Sequence, residues 1–199
     1  LQAKKYTAID NKERALYSFQ NAMEYAEEIG DEKAQAMIHF EEGKLYNDFN
    51  RPEEALYNYA IAALQTEDNN LKARSYLSMG KIYDDYVNFE PALDHYGIAA
   101  AYAGEADNLK LQSKALSDLA QLHTQRYDRN NADMFMKLAC ISANNTEDNH
   151  VIGVIYSKNA KMQKTFFVLF DYSTFPFYWQ QKSEPRTFPS TAHIKEERK

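Results

Sequence analysis

Cysteine is almost missing from this chain. Cys140 is the one cysteine in 199 residues, so an intramolecular disulfide is excluded and a reducing, cytoplasmic setting is the expectation. The six glycines are scattered, and none belongs to a phosphate-cradling loop. His39, His95, His123, His150 and His193 fall at unrelated intervals, with no His-Glu-x-x-His or Cys-x-x-Cys spacing. The chain therefore reads as non-catalytic, with no metal or cofactor implied. Long apolar runs are also missing. The longest covers residues 166–170 and stops at Asp171, against the roughly 20 residues that a membrane-spanning helix needs. Leu1-Gln2-Ala3-Lys4-Lys5 lacks both an initiator Met and the hydrophobic stretch of a signal peptide, and reads as the start of a fragment or processed product. Cations are outnumbered in the body: residues 1–150 carry 15 Lys+Arg against 25 Asp+Glu, a net of -10, whereas residues 151–199 carry 8 against 4, a net of +4. An acidic body argues against nucleic-acid binding, which needs many phosphate-neutralising cations.

What the chain does have is a period. Gly43, Gly80, Ala120 and Ala160 follow one another at intervals of 37, 40 and 40. Twelve residues after the first three stand Ala55, Ala92 and Ala132, and seven further on Ala62, Ala99 and Ala139. The same register run backward reaches Ala3, Ala15 and Ala22. A fixed period of this length predicts an all-α helical solenoid, in which each unit buries its apolar face only against its neighbours.

Each unit reads as two antiparallel helices, the clearest pair covering about residues 32–49 and 52–65. At the bend, Asn50 is expected to cap the second helix, Pro52 to occupy its first turn and Glu53 to complete a capping box. Gly30-Asp31, Asp68-Asn69-Asn70, Asp107-Asn108 and Asp148-Asn149 separate the units, because Gly and Asn tolerate left-handed backbone and Asp or Asn caps the following helix. The small residues are expected where two helices of a hairpin approach to about 8–10 Å. Leu45, Tyr46, Ile82, Tyr83, Leu122 and His123 are expected in the core with Tyr59, Tyr96 and Met136 of the second helices.

The pattern small–x–x–Tyr, then Ala–x–x–x–aromatic–x–x–Ala, resembles the tetratricopeptide repeat over about residues 1–164. The blocks are 1–31 (partial), 32–69, 70–108, 109–149 and 150–164 (a half repeat), about four and a half repeats. Units of 37–40 residues exceed the usual length of about 34, which resembles the long-helix variants of this family. The resemblance implies a right-handed superhelix whose first helices line a concave groove, and a protein-interaction scaffold that holds a partner's peptide or helix there. The alternative is a peptide-sensing regulatory domain of a larger signalling protein.

The residue after each small crossing residue is expected to face that groove: Lys4, Lys44, Lys81, Gln121 and Lys161, a ladder with steps of about 10 Å. Arg74 and Lys114 are expected to flank it, Asn47 and Asp84 to sit one turn on, and Phe40 and Leu77 to supply apolar contacts. Such a groove suits an acidic partner segment. Exposed ion pairs contribute roughly 0–1 kcal/mol each, so the expectation places most of the affinity on Phe40 and Leu77.

Beyond Lys164 the period fails. Phe166, Phe167, Phe170, Tyr172, Phe175, Phe177, Tyr178 and Trp179 crowd together. Residues 165–199 are read as an aromatic segment that caps the last apolar face, or mediates self-association, followed by a polar tail.

Overall fold

The computed structural model describes the backbone of residues 12–182 and the side chains of 14–168. Lys4, Ala3 and most of the aromatic tail lie outside the described side chains. Among the described residues there are eight helices and no strand: α1 (Lys12–Glu28), α2 (Glu32–Asp48), α3 (Pro52–Gln65), α4 (Asn69–Asp85), α5 (Phe89–Glu105), α6 (Leu109–Gln125), α7 (Arg129–Asn144) and α8 (Asn149–Lys182). They form an α-solenoid of antiparallel pairs, each helix packing on its neighbours in sequence. No helix among the described residues is long and apolar enough to cross a membrane.

Two local devices set the helix ends. Asp31, Asp68, Asn108 and Asp128 accept hydrogen bonds from the first-turn amides of α2, α4, α6 and α7, and Asp148 accepts from the His150 and Val151 amides. These bonds to free amides hold the Asp148 carboxyl below its usual range, that from Val151 foremost. At the other end, Gly30, Asn50, Val87, Asp107 and Tyr127 all have positive φ. In each case the next residue's amide reaches back to close the turn, as from Arg51 to the Tyr46 carbonyl and from Asn88 to that of Tyr83.

Asn50 departs from expectation here. With φ at 56° it closes α2 rather than capping α3, because Asn is among the few residues that enter the left-handed region readily. Arg51 takes the cap position without a side-chain bond, so no capping box forms with Glu53; its guanidinium instead pairs with Glu54.

The packing turns on three matched pairs. A Cβ added at Gly43 would meet Cδ1 and Cε1 of Tyr59 at 2.8 Å, and one at Gly80 would meet Cδ1 of Tyr96 at 2.7 Å. The rings of the second helices therefore lie directly on the backbone of the first. In the next hairpin the corresponding residues are Ala120 and Met136, which share one buried cluster. The alanines at the two other phases, Ala55, Ala62, Ala92, Ala99, Ala132 and Ala139, are 0% exposed. Ala160 is exposed. It stands on α8, the last of the first helices, and no described second helix packs over it.

α8 runs through residue 164 without a break. Phe166 is buried with Met136, Ile155 and Met162, so the aromatic segment begins inside the core of the array. The capping expected of residues beyond 168 lies outside the described side chains.

Gly43→Ala should lower stability by up to about 2 kcal/mol, as overpacking against Tyr59 (about 1–3 kcal/mol) outweighs the gain of about 1 kcal/mol in helix propensity. Gly97→Ala in α5, where a Cβ meets nothing within 4 Å, should raise stability by about 1 kcal/mol; urea midpoints of the two variants moving the same way would contradict the contact. Val87 is 66% exposed and left-handed, a conformation costing a β-carbon residue about 1–2 kcal/mol. Val87→Gly should therefore raise the thermal midpoint.

Candidate functional site

Adding 37 to a position in α2, then 40 and 40, gives the matching positions in α4, α6 and α8. Lys44, Lys81, Gln121 and Lys161, one step past each small residue, are all exposed. Lys44 bonds Glu41 at 3.0 Å, with its own side chain 46% exposed, whereas Lys81 and Lys161 make no ion pair among the described residues. One turn on, the matching residues differ. Asn47 is exposed. Asp84 is half-buried and accepts the Tyr96 hydroxyl at 3.4 Å. Thr124 is buried and donates to the Ala120 carbonyl at 2.8 Å. Lys114 pairs with Asp118 at 3.1 Å.

The expected apolar contacts are closed. Phe40 is 4% and Leu77 8% exposed, each within a core cluster. Phe40 packs on the Tyr59 ring and carries the Arg74 guanidinium 4.3 Å above its own. The residue four positions before Lys44 or Lys81 lies deeper between neighbouring helices than the lysine itself, so periodic spacing alone does not tell a groove residue from a core one.

Sequence reasoning missed a second row on this face: Glu41, Ser78, Asp118 and Lys158, each three residues before a ladder position. Lys158 crosses from α8 to α6, donating to Asp118 Oδ1 at 2.5 Å and Ser117 Oγ at 3.0 Å. These residues share the period of the lysines, and that signal was available. Acids also gather at the tyrosine hydroxyls. Burial pushes the Tyr59 phenol up to about 12, with Asp48 and Glu41 adding to the rise. Tyr96 is raised further, by burial and then by Asp118, Asp84 and Asp85. Burial likewise lifts the Asp84 carboxyl. The face is therefore a mixture of signs around α2, α4 and α6.

At its C-terminal end the face opens into a cavity of about 440 Å³ between α6, α7 and α8. Gln121, Thr124, Gln125, Lys158, Lys161 and Thr165 line it over Met136 and Met162. Two ladder positions, Gln121 and Lys161, are thus brought to one site, while Lys44 and Lys81 lie elsewhere along the face.

The opposite side was also missed. Tyr57 and Leu64 on α3, Ile98 on α5, and Met134, Leu138 and Ile141 on α7 are exposed. Positions 134, 138 and 141 fall at i, i+4 and i+7, one stripe of a helix. Assigning the alanines and tyrosines to the core leaves these apolar residues over.

His123 and Cys140 occupy packed surroundings. His123 stacks on Phe135 with centroids 5.4 Å apart, and its Nδ1 lies 3.2 Å from Asp128. Cys140 packs against the cluster of α7 and α8, where burial pushes its thiol up and away from the reactive thiolate.

No protein-family model and no curated protein matches the sequence. Among solved structures, BtubC (BKLC) from P. vanneervenii is similar with a TM-score of 0.65 at 17% identity, over 98% of this chain and 85% of that one. Two structures of MamA are similar with TM-scores of 0.54 and 0.53, at 13% and 11% identity. They cover 94% and 81% of this chain and 94% of each of those chains. These neighbours are tetratricopeptide-like helical repeat structures, and at such identities the likeness is one of fold. The fold of this chain is that of a helical repeat solenoid of the tetratricopeptide type.

Proposed function

We propose that the chain is a non-catalytic protein-interaction scaffold that holds a segment of a partner protein against the face built by α2, α4, α6 and α8. The observation that carries this reading is the row Lys44, Lys81, Gln121 and Lys161. These long side chains are exposed on four successive first helices, at positions where a solenoid repeats its surface at regular steps. An extended segment or helix laid along the array meets one such side chain per unit. The acids Glu41, Asp84, Asp85 and Asp118 beside the cations make the face two-signed, so recognition depends on which charge of the partner meets which unit rather than on bulk attraction. Buried Phe40 and Leu77 are not available as anchors, and Met136 and Met162 lie buried beneath the cavity between α6, α7 and α8, so a partner segment meets the exposed ladder side chains and the rim of that cavity.

A photo-crosslinking amino acid placed at position 44, 81 or 121 should capture the partner in cell extract, and the same group at position 57, 98 or 141 should not. Capture from the second set alone would move the binding surface to the apolar stripe of α3, α5 and α7. With the partner identified, Lys44→Glu combined with Lys81→Glu should weaken binding of an acidic segment about tenfold at low salt and less as salt rises. Affinity unchanged at every salt concentration would remove these lysines from recognition.

A further inference from the structure

We propose that the cavity between α6, α7 and α8 receives an aromatic side chain of a partner segment, with a carboxylate on the adjoining residue bound by Lys161. The proposal rests on the groove reading above and names the chemistry of one of its subsites.

The cavity lies where the repeat changes its packing residue. In the two preceding hairpins the matching space is occupied by the chain's own phenol rings, Tyr59 over Gly43 and Tyr96 over Gly80. The Tyr96 ring extends far enough for its hydroxyl to approach Asp84. In the third full hairpin, Met136 replaces the tyrosine and Ala120 the glycine. The matching partner of the missing hydroxyl, Thr124, turns its own hydroxyl back onto the Ala120 carbonyl. A buried thioether on alanine thus stands where the chain twice elsewhere sets an aromatic ring on glycine, and the cavity opens beside it, at the positions matching those around the Tyr96 hydroxyl.

The lining fits such a guest. Beneath it lie two buried thioethers, Met136 and Met162, which are polarisable and flexible enough to shift and meet an aromatic ring. A volume of about 440 Å³ lies in the range of small ligand sites, roughly 300–1,000 Å³. The rim supplies the amides of Gln121 and Gln125, suited to a peptide backbone. Its two cations are not equivalent. Lys158 is engaged by Asp118 and Ser117, whereas Lys161 is exposed and makes no ion pair among the described residues. One carboxylate beside the ring is the complementary charge.

The test uses the full chain labelled with ¹³C-methyl methionine and the capped dipeptides acetyl-Asp-Phe-amide, acetyl-Asp-Ala-amide and acetyl-Lys-Phe-amide as probes. Acetyl-Asp-Phe-amide should move the Met136 and Met162 methyl signals upfield by ring current, saturably in the millimolar range. Met37 and Met79, in other clusters, should not move. Acetyl-Asp-Ala-amide should produce no ring-current shift, and acetyl-Lys-Phe-amide should bind severalfold more weakly. The double variant A120G/M136Y rebuilds the Gly–Tyr pair that the chain uses in two other hairpins, so it should keep its helical circular dichroism and melt cooperatively. It should also lose the Met162 response by at least tenfold in affinity. Lys161→Glu, a surface change, should reverse the order of the Asp-Phe and Lys-Phe probes. Absence of a Met136 or Met162 shift, an undiminished response in folded A120G/M136Y, or an unchanged probe order in Lys161→Glu would overturn the assignment. Crosslinking at positions 44 and 81 is unaffected by those failures and reports on the groove separately.

Discussion

A ring resting on bare backbone holds this molecule together. Tyr59 and Tyr96 press on Gly43 and Gly80 where even a methyl group would lie under 3 Å from the ring, a distance that real carbon contacts do not reach. That contact fixes how closely the two helices of a hairpin approach. Fully buried alanines on either side of it let the approach continue along the helix. Once the hairpin has one spacing, successive hairpins stack in one way, and side chains a period apart come into line. The row of exposed residues on the first helices is a consequence of this packing.

Much of this was legible in the sequence because the packing constraint is steric and local. A position that accepts only Gly or Ala leaves a mark in every unit, and the Asp and Asn caps mark every helix start. Asn50 was misread because its neighbours Pro52 and Glu53 resemble a helix start, while the residue itself serves to end the preceding helix. Phe40 and Leu77 were misread for a different reason. Their spacing from the small residues is correct for the first-helix face, yet depth below the surface depends on the neighbouring helices, as the Arg74 guanidinium over Phe40 illustrates. A one-dimensional period gives the angle of a side chain around its helix, and gives no measure of what the next helix places above it. Ala160 teaches the same lesson in reverse: its phase is right and its surroundings differ, because no described second helix covers it.

The electrostatics and the cavity together change the view of the face built by the first helices. A ladder of lysines read alone suggests an attractor for negative charge. Glu41 lies beneath Lys44 and Asp118 is held by Lys114 and Lys158, so acids stand among the cations, while Lys81 and Lys161 make no ion pair among the described residues. Composition changes along the array: the first two hairpins carry buried rings with carboxylates near their hydroxyls, and the third carries a buried thioether beside a cavity that Lys158 and Lys161 border.

The exchange of Gly–Tyr for Ala–Met has a wider meaning for how such an array diversifies. Two positions sixteen residues apart set whether a ring rests on glycine or a thioether on alanine, and units pack chiefly on their immediate neighbours. An exchange at such a pair therefore alters the surface between one unit and the next, while more distant units keep their packing.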